Sequence, residues 1–172
     1  PHSYGQVFGN VLHACLERWL KEEEPHPPGW QWCPESRQRV DPKDEKLIQQ
    51  TLLPQAVEKG YLRRHPERFV ERTWWKFLGE SGNEHNQCLI AKGTIDLSEP
   101  GVIVDHKGSK NVKSYAKTKA ELRTDLQLLV YIYVNEIRRG IRHKDDDALT
   151  VGHINYCRAT GQVSEKTVKV TW

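Results

Sequence analysis

Asp96, Asp105 and Lys107 are the residues of this chain whose types and spacing could do chemistry. Residues 93–96 read Gly-Thr-Ile-Asp and residues 102–107 read Val-Ile-Val-Asp-His-Lys. Each aspartate follows apolar, β-branched residues, which places the two carboxylates at the ends of neighbouring strands. Residues two apart on a strand share a face, so Asp105 and Lys107 point together while His106 points away. Two facing carboxylates are costly unless something positive lies between them. A divalent cation is the usual solution, because hard cations take carboxylate oxygens. The lysine then has a metal-bound anion or a phosphate to answer. This is the layout of metal-assisted phosphodiester hydrolysis. The alternative for Asp-x-Lys at a strand end is an ion pair capping the sheet, and the second carboxylate weighs against it.

Other polar residues stand where they could join this group. His13 lies in Phe-Gly-Asn-Val-Leu-His-Ala-Cys-Leu-Glu, at the edge of an apolar helical stripe, with Glu17 one turn further along the same flank. A stripe-edge histidine is either a border residue of the core or a ligand. Gln127 and Tyr131 are four apart, so they leave one face of a helix. Gln127 interrupts an apolar run, and a buried amide needs partners; a phosphate or a metal-bound water would supply them, as would a polar patch at the surface. Lys107 also begins a basic run with Lys110, Lys113, Lys117, Lys119 and Arg123, against Glu121 alone in that span. The run is either a solvated face or a track for a phosphate backbone.

The elements that must position these groups follow from periodicity. Residues 4–22 carry apolar positions at helical spacing, and 25–42 read as a loop. A second helix spans about 42–64, kinked or split at Pro54. Strands are expected at 67–79, 87–97, 101–107, 148–158 and 162–171, by β-branched and aromatic content between turn signals. A long helix is expected over 120–139, stopped by Gly140, with Leu126–Val134 almost wholly apolar and buried on several sides. The order implies an α/β domain, a mixed central sheet with helices on its faces.

Composition narrows the class. A chain of 172 residues is one domain able to bury roughly two-thirds of its unfolded surface. No window approaches the ~18 apolar residues of a membrane span, so no membrane partner is expected. The chain opens Pro-His-Ser-Tyr-Gly and runs straight into an amphipathic segment, so no secretory leader is expected. It has no methionine, which suggests either a trimmed chain or a domain taken from a longer one. Cys15, Cys33, Cys88 and Cys157 lie far apart without a Cys-x-x-Cys pair, as expected for reduced thiols in an intracellular, reducing compartment. A net charge of +3 does not by itself imply nucleic acid.

Taken in order, Gly9-x-x-x-His13-x-x-x-Glu17, Glu71 in a strand, Gly93-Thr-Ile-Asp96, Asp105-His-Lys107 and Gln127-x-x-x-Tyr131 resemble the RecB-type nucleases of the PD-(D/E)XK superfamily, which include AddB-like and Cas-associated enzymes. The resemblance implies a restriction-endonuclease-like core. It implies that His13, Asp96, Asp105 and the backbone carbonyl of His106 hold Mg²⁺ or Mn²⁺. Lys107 would orient the attacking water and offset developing charge, Gln127 and Tyr131 would position the lysine and the DNA, and Glu17 and Glu71 would be accessory. The residue between Asp105 and Lys107 is His where Tyr or Phe is more usual. Relatives with an iron–sulfur cluster use one early and three late cysteines; only Cys157 is late here, so no such cluster is expected. The expected activity is a metal-dependent deoxyribonuclease, favouring free ends of single- or double-stranded DNA in repair, recombination or replication, with a helicase or recombination partner. The alternatives are a silent binding module of a helicase–nuclease and an endonuclease of the same fold.

Overall fold

The computed structural model describes residues 3–23, 32–33, 38–64, 69–80, 88–112, 116–134 and 148–170, with the backbone alone for 32–33, 38, 69–80 and 88–91. Ser3 and Gln6 form a capping box that opens helix α1 (Tyr4–Leu20). Its stripe Val7, Phe8, Val11, Leu12, Cys15, Leu16 and Leu20 is buried. A short antiparallel pair, β1 (Trp32–Cys33) and β2 (Gln38–Arg39), lies within the segment expected to be loop.

Asp41 caps α2 (Pro42–Leu47), which passes through a π-helical turn, Ile48–Leu52, into α3 (Leu53–Glu58). The N–H of Leu53 reaches back five residues to the carbonyl of Ile48. This wider turn sits just ahead of Pro54, which has no N–H to give, and is the form the expected kink takes. The chain then leaves the helix through Gly60, whose φ of 72° suits a residue without Cβ. The helix expected to reach residue 64 is shorter for that reason.

Among the described residues five strands form the central sheet, in the order β3 (Phe69–Glu80), β4 (Cys88–Glu99), β5 (Val102–Ser109), β6 (Leu149–Cys157), β7 (Gln162–Val170). Neighbours are antiparallel except β5 and β6, which run parallel, so the sheet is mixed. A parallel pair needs a crossover, and helices α4 (Lys119–Arg123) and α5 (Leu126–Ile132) lie in it. Apolar side chains cover both faces of β5. Val104, Ile154 and Tyr156 pack with α1, α2 and α3, while Ile103 and Val151 pack with Leu122, Leu128 and Ile132.

The crossover corrects two expectations. The long helix is broken at Thr124 and Asp125, because Asp125 takes an extended conformation and caps α5 through the backbone N–H of Gln127. Nor is Leu126–Val134 buried all round: Leu126 is 74% exposed, and Leu129 and Tyr133 also face solvent. The apolar run is an amphipathic turn whose buried side is Leu128, Tyr131, Ile132 and Val134. Residues 135–147, including the expected stop at Gly140, lie outside the described residues. Cys15 and Cys157 are buried free thiols, and burial pushes the Cys15 thiol up to about 12. Among the described residues no helix is long and apolar enough to cross a membrane.

Candidate active site

The site begins where β4 and β5 stop pairing. Their turn is Pro100–Gly101, with Gly101 at φ 75°, and their ladder covers Glu99–Val102, Ser98–Ile103 and Leu97–Val104. The next opposed positions are Asp96 and Asp105. There the ladder ends, and the carboxylate of Asp96 takes over as acceptor: the N–H of His106 donates to its Oδ2 at 2.7 Å. A side chain thus replaces a carbonyl, which satisfies the backbone while holding the acid beside β5.

Helix α1 brings His13 to the same point. Its Nε2–H donates to the carbonyl of His106 at 2.9 Å, and Nδ1 stands 3.7 Å from Asp96 Oδ1. This approach needs Gly108, where a Cβ would lie 3.1 Å from Leu12 and 3.3 Å from Phe8. Below His106, the Tyr156 hydroxyl shares a hydrogen bond with Nδ1 at 3.1 Å. Burial first, and then the Asp96 charge, raise the Tyr156 hydroxyl well above the ordinary phenol range, so it remains a neutral phenol.

Asp105 is 1% exposed and is ringed by its own partners. The Lys107 ammonium lies 2.5 Å from Oδ2, and Gln127 Nε2 donates to Oδ1 at 3.1 Å. The same Gln127 accepts from Lys107 at 3.1 Å through Oε1 and donates to the Tyr131 hydroxyl at 2.6 Å. Gln127 therefore bridges the acid and the amine, and its four-residue spacing to Tyr131 is the contact that a helix face provides.

Behind Asp105 stand residues that sequence reasoning did not single out. His153 is the parallel register partner of Asp105 on β6 and is 3% exposed. Its Nε2 lies 3.9 Å from Asp105 Oδ2 and 3.5 Å from Asp125 Oδ2. Burial lowers the His153 imidazole below its ordinary value, against the pull of Asp105. Asp125 in turn binds Lys117 at 2.6 Å and the N–H of Gln127 at 3.0 Å. Burial would raise its carboxyl, but Lys117 and that N–H outweigh it and hold the group below the carboxylate range. The signal available was polar residues two apart, His153 and Asn155, inside the apolar strand Leu149–Cys157.

An open cavity of about 620 Å³ is bordered by His13, Glu17, Asp96, Asp105, Lys107 and Gln127, together with the backbone at 106 and 108. Glu17 pairs with Lys21 at its rim. By donor chemistry two carboxylates, a carbonyl and an imidazole fit a divalent ion. The side chains as described pair with one another, and among the described residues no three His, Cys, Asp or Glu close into a ligand cluster. Of the basic run, Lys110, Lys119 and Arg123 are exposed, while Lys117 is engaged by Asp125. Lys113 and the side chain of Glu71, which stands in β3, lie outside the described residues.

No curated protein matches the chain. The family model of the PD-(D/E)XK nuclease superfamily matches residues 1–169, nearly its full length and every element of the site. The mixed sheet flanked by helices is the core that this superfamily, whose members generally use divalent metals, is built on, and the chain belongs to it.

Proposed function

We propose that the protein is a metal-dependent deoxyribonuclease whose reaction is carried by Asp96, Asp105 and Lys107. The observation that carries this reading is the bridge of Gln127 across Asp105 and Lys107, with Asp96 and the His13–His106 contact on the other side of one cavity. A polar group so placed fixes both an acid and an amine against solvent. A capping ion pair would need neither the second carboxylate nor the histidine.

In this reading His13, Asp96, Asp105 and the carbonyl of His106 would hold Mg²⁺ or Mn²⁺, the imidazole favouring Mn²⁺ somewhat. When bound, such an ion supplies Lewis acidity and lowers the pKa of a water. Lys107 sets a positive charge where negative charge grows on the phosphoryl oxygens. Gln127 orients that ammonium through Oε1, so little rearrangement is needed as charge develops. Tyr131 holds the amide in turn. Lys110, Lys119 and Arg123 would touch flanking phosphates. Action on free ends, RecB-like in kind, and a helicase or recombination partner rest on the resemblance of the motifs.

End-labelled linear DNA compared with closed circular DNA, with and without Mn²⁺, tests the reading. Mn²⁺-dependent loss of the linear label with circles intact is the expected result. Cutting of circles would make it an endonuclease. DNA binding without cleavage of either would make it a silent binding module.

A further inference from the structure

We infer that His153 is a positioning residue, which ties Asp105 to Asp125 and so holds Gln127 in place over Lys107. This rests on the reading of Asp105 and Lys107 given above. His153 Nε2 is buried without a hydrogen bond, yet it stands between two carboxylate oxygens, 3.9 Å from Asp105 and 3.5 Å from Asp125. A buried polar group in that position is expensive unless it is shared by its neighbours.

The two acids it faces have different tasks. Asp105 ends the accepting path from Lys107 and Gln127. Asp125 is the N-cap of α5, so its carboxylate sets where that helix starts and hence where Gln127 projects. Two hydrogen bonds, Asp105 to the Gln127 side chain and the Gln127 backbone to Asp125, are closed into a ring by the two longer approaches of His153, to Asp125 and to Asp105. Strand β6 contributes one member of the ring, and that member spans the gap between strand and helix. Lys117 joins from outside, so the basic loop is anchored to the same ring. An imidazole fits because it is rigid and stands between the two oxygens, 3.5 Å and 3.9 Å away, from a strand position in register with Asp105.

His153→Gln places an amide N–H near the position of Nε2, whereas His153→Ala leaves the two acids without it. Partners in this outer position typically cost about 10–100-fold in metal affinity or activity when removed. The experiment compares both variants with the wild type in three measurements. These are kcat and KM on linear DNA with Mn²⁺, Mn²⁺ affinity by calorimetry, and the side-chain amide NMR signals of Gln127 without metal or DNA. The expected result for His153→Ala is a 10–100-fold loss in kcat or Mn²⁺ affinity at nearly constant KM. Its Gln127 amide signals should move toward those of a solvated amide, and His153→Gln should restore both. A variant that only melts earlier, with the Gln127 signals and kcat unchanged, would show that His153 is packing and overturn the inference. If the wild type neither binds Mn²⁺ nor cuts DNA, the nuclease reading fails, and the Gln127 signals alone decide the positioning role. Should His153→Ala not fold, His153→Asn, whose amide falls short of Asp125, takes its place with the same outcomes.

Discussion

The two faces of strand β5 differ in kind. On one, Val104 and Gly108 meet Phe8 and Leu12 of α1, and the packing is close enough that a Cβ at 108 would press on both. On the other, Ile103 is followed by Asp105 and Lys107, which meet a polar ring drawn from α5 and β6. The first face sets how near the helix carrying His13 can come. The second sets where charge sits. A single strand thus packs the helix of His13 on one side and fixes Asp105 and Lys107 on the other.

Truncating Phe8, which is 1% exposed, should break the comparison on its apolar side. Phe8→Ala is expected to lower unfolding free energy by about 3–5 kcal/mol, from lost burial and the cavity left behind. Cleavage per folded molecule should change far less. Denaturant unfolding and single-turnover cleavage, measured on the same samples, check this. An equal collapse of rate would mean that the two faces are not separable.

Lys107→Gln tests the polar side. It keeps a donor near Asp105 and Gln127 but removes the charge, so cleavage should fall by about 10²–10³ while DNA binding persists. A variant that cuts at the wild-type rate would reduce Asp105 and Lys107 to a capping pair. The smallest effect concerns the basic run. Replacing Lys110, Lys119 and Arg123 together by Ala should reduce the log–log salt slope of DNA binding by about 2–3, one unit or slightly less for each phosphate contact. Lys117→Ala should alter that slope little, because its ammonium is held by Asp125, and should instead loosen α5. Equal slopes in all variants would assign the run to solvent.

Much of this was legible in the sequence, for local reasons. Alternation along β5 put Asp105 and Lys107 together, and helical spacing put Gln127 beside Tyr131. Strand positions followed from β-branched runs, because a sheet buried on both faces leaves a plain apolar signature. The break at Asp125 is less legible although Thr-Asp is itself a capping signal, because the apolar run beyond it fits one buried helix equally well. His13 meeting the carbonyl of His106 is a contact between residues 93 apart, which no local period encodes. His153 was hidden in the same way: its meaning depends on the parallel register with Asp105.

The end of the β4–β5 ladder has a consequence for the order of assembly. His106 and Asp96 are 10 residues apart and can meet as soon as their hairpin closes. His13 reaches His106 across 93 residues, and Tyr156 reaches it across 50 through the parallel crossover. Contacts so distant close late, because their loop entropy must be met before they return any stability. The acid pair would therefore exist before the histidine, the tyrosine and the polar ring arrive. A half-folded chain would carry Asp96, Asp105 and Lys107 on one hairpin without the amide of Gln127 that orients the lysine, so its charged groups would be gathered before they were aimed.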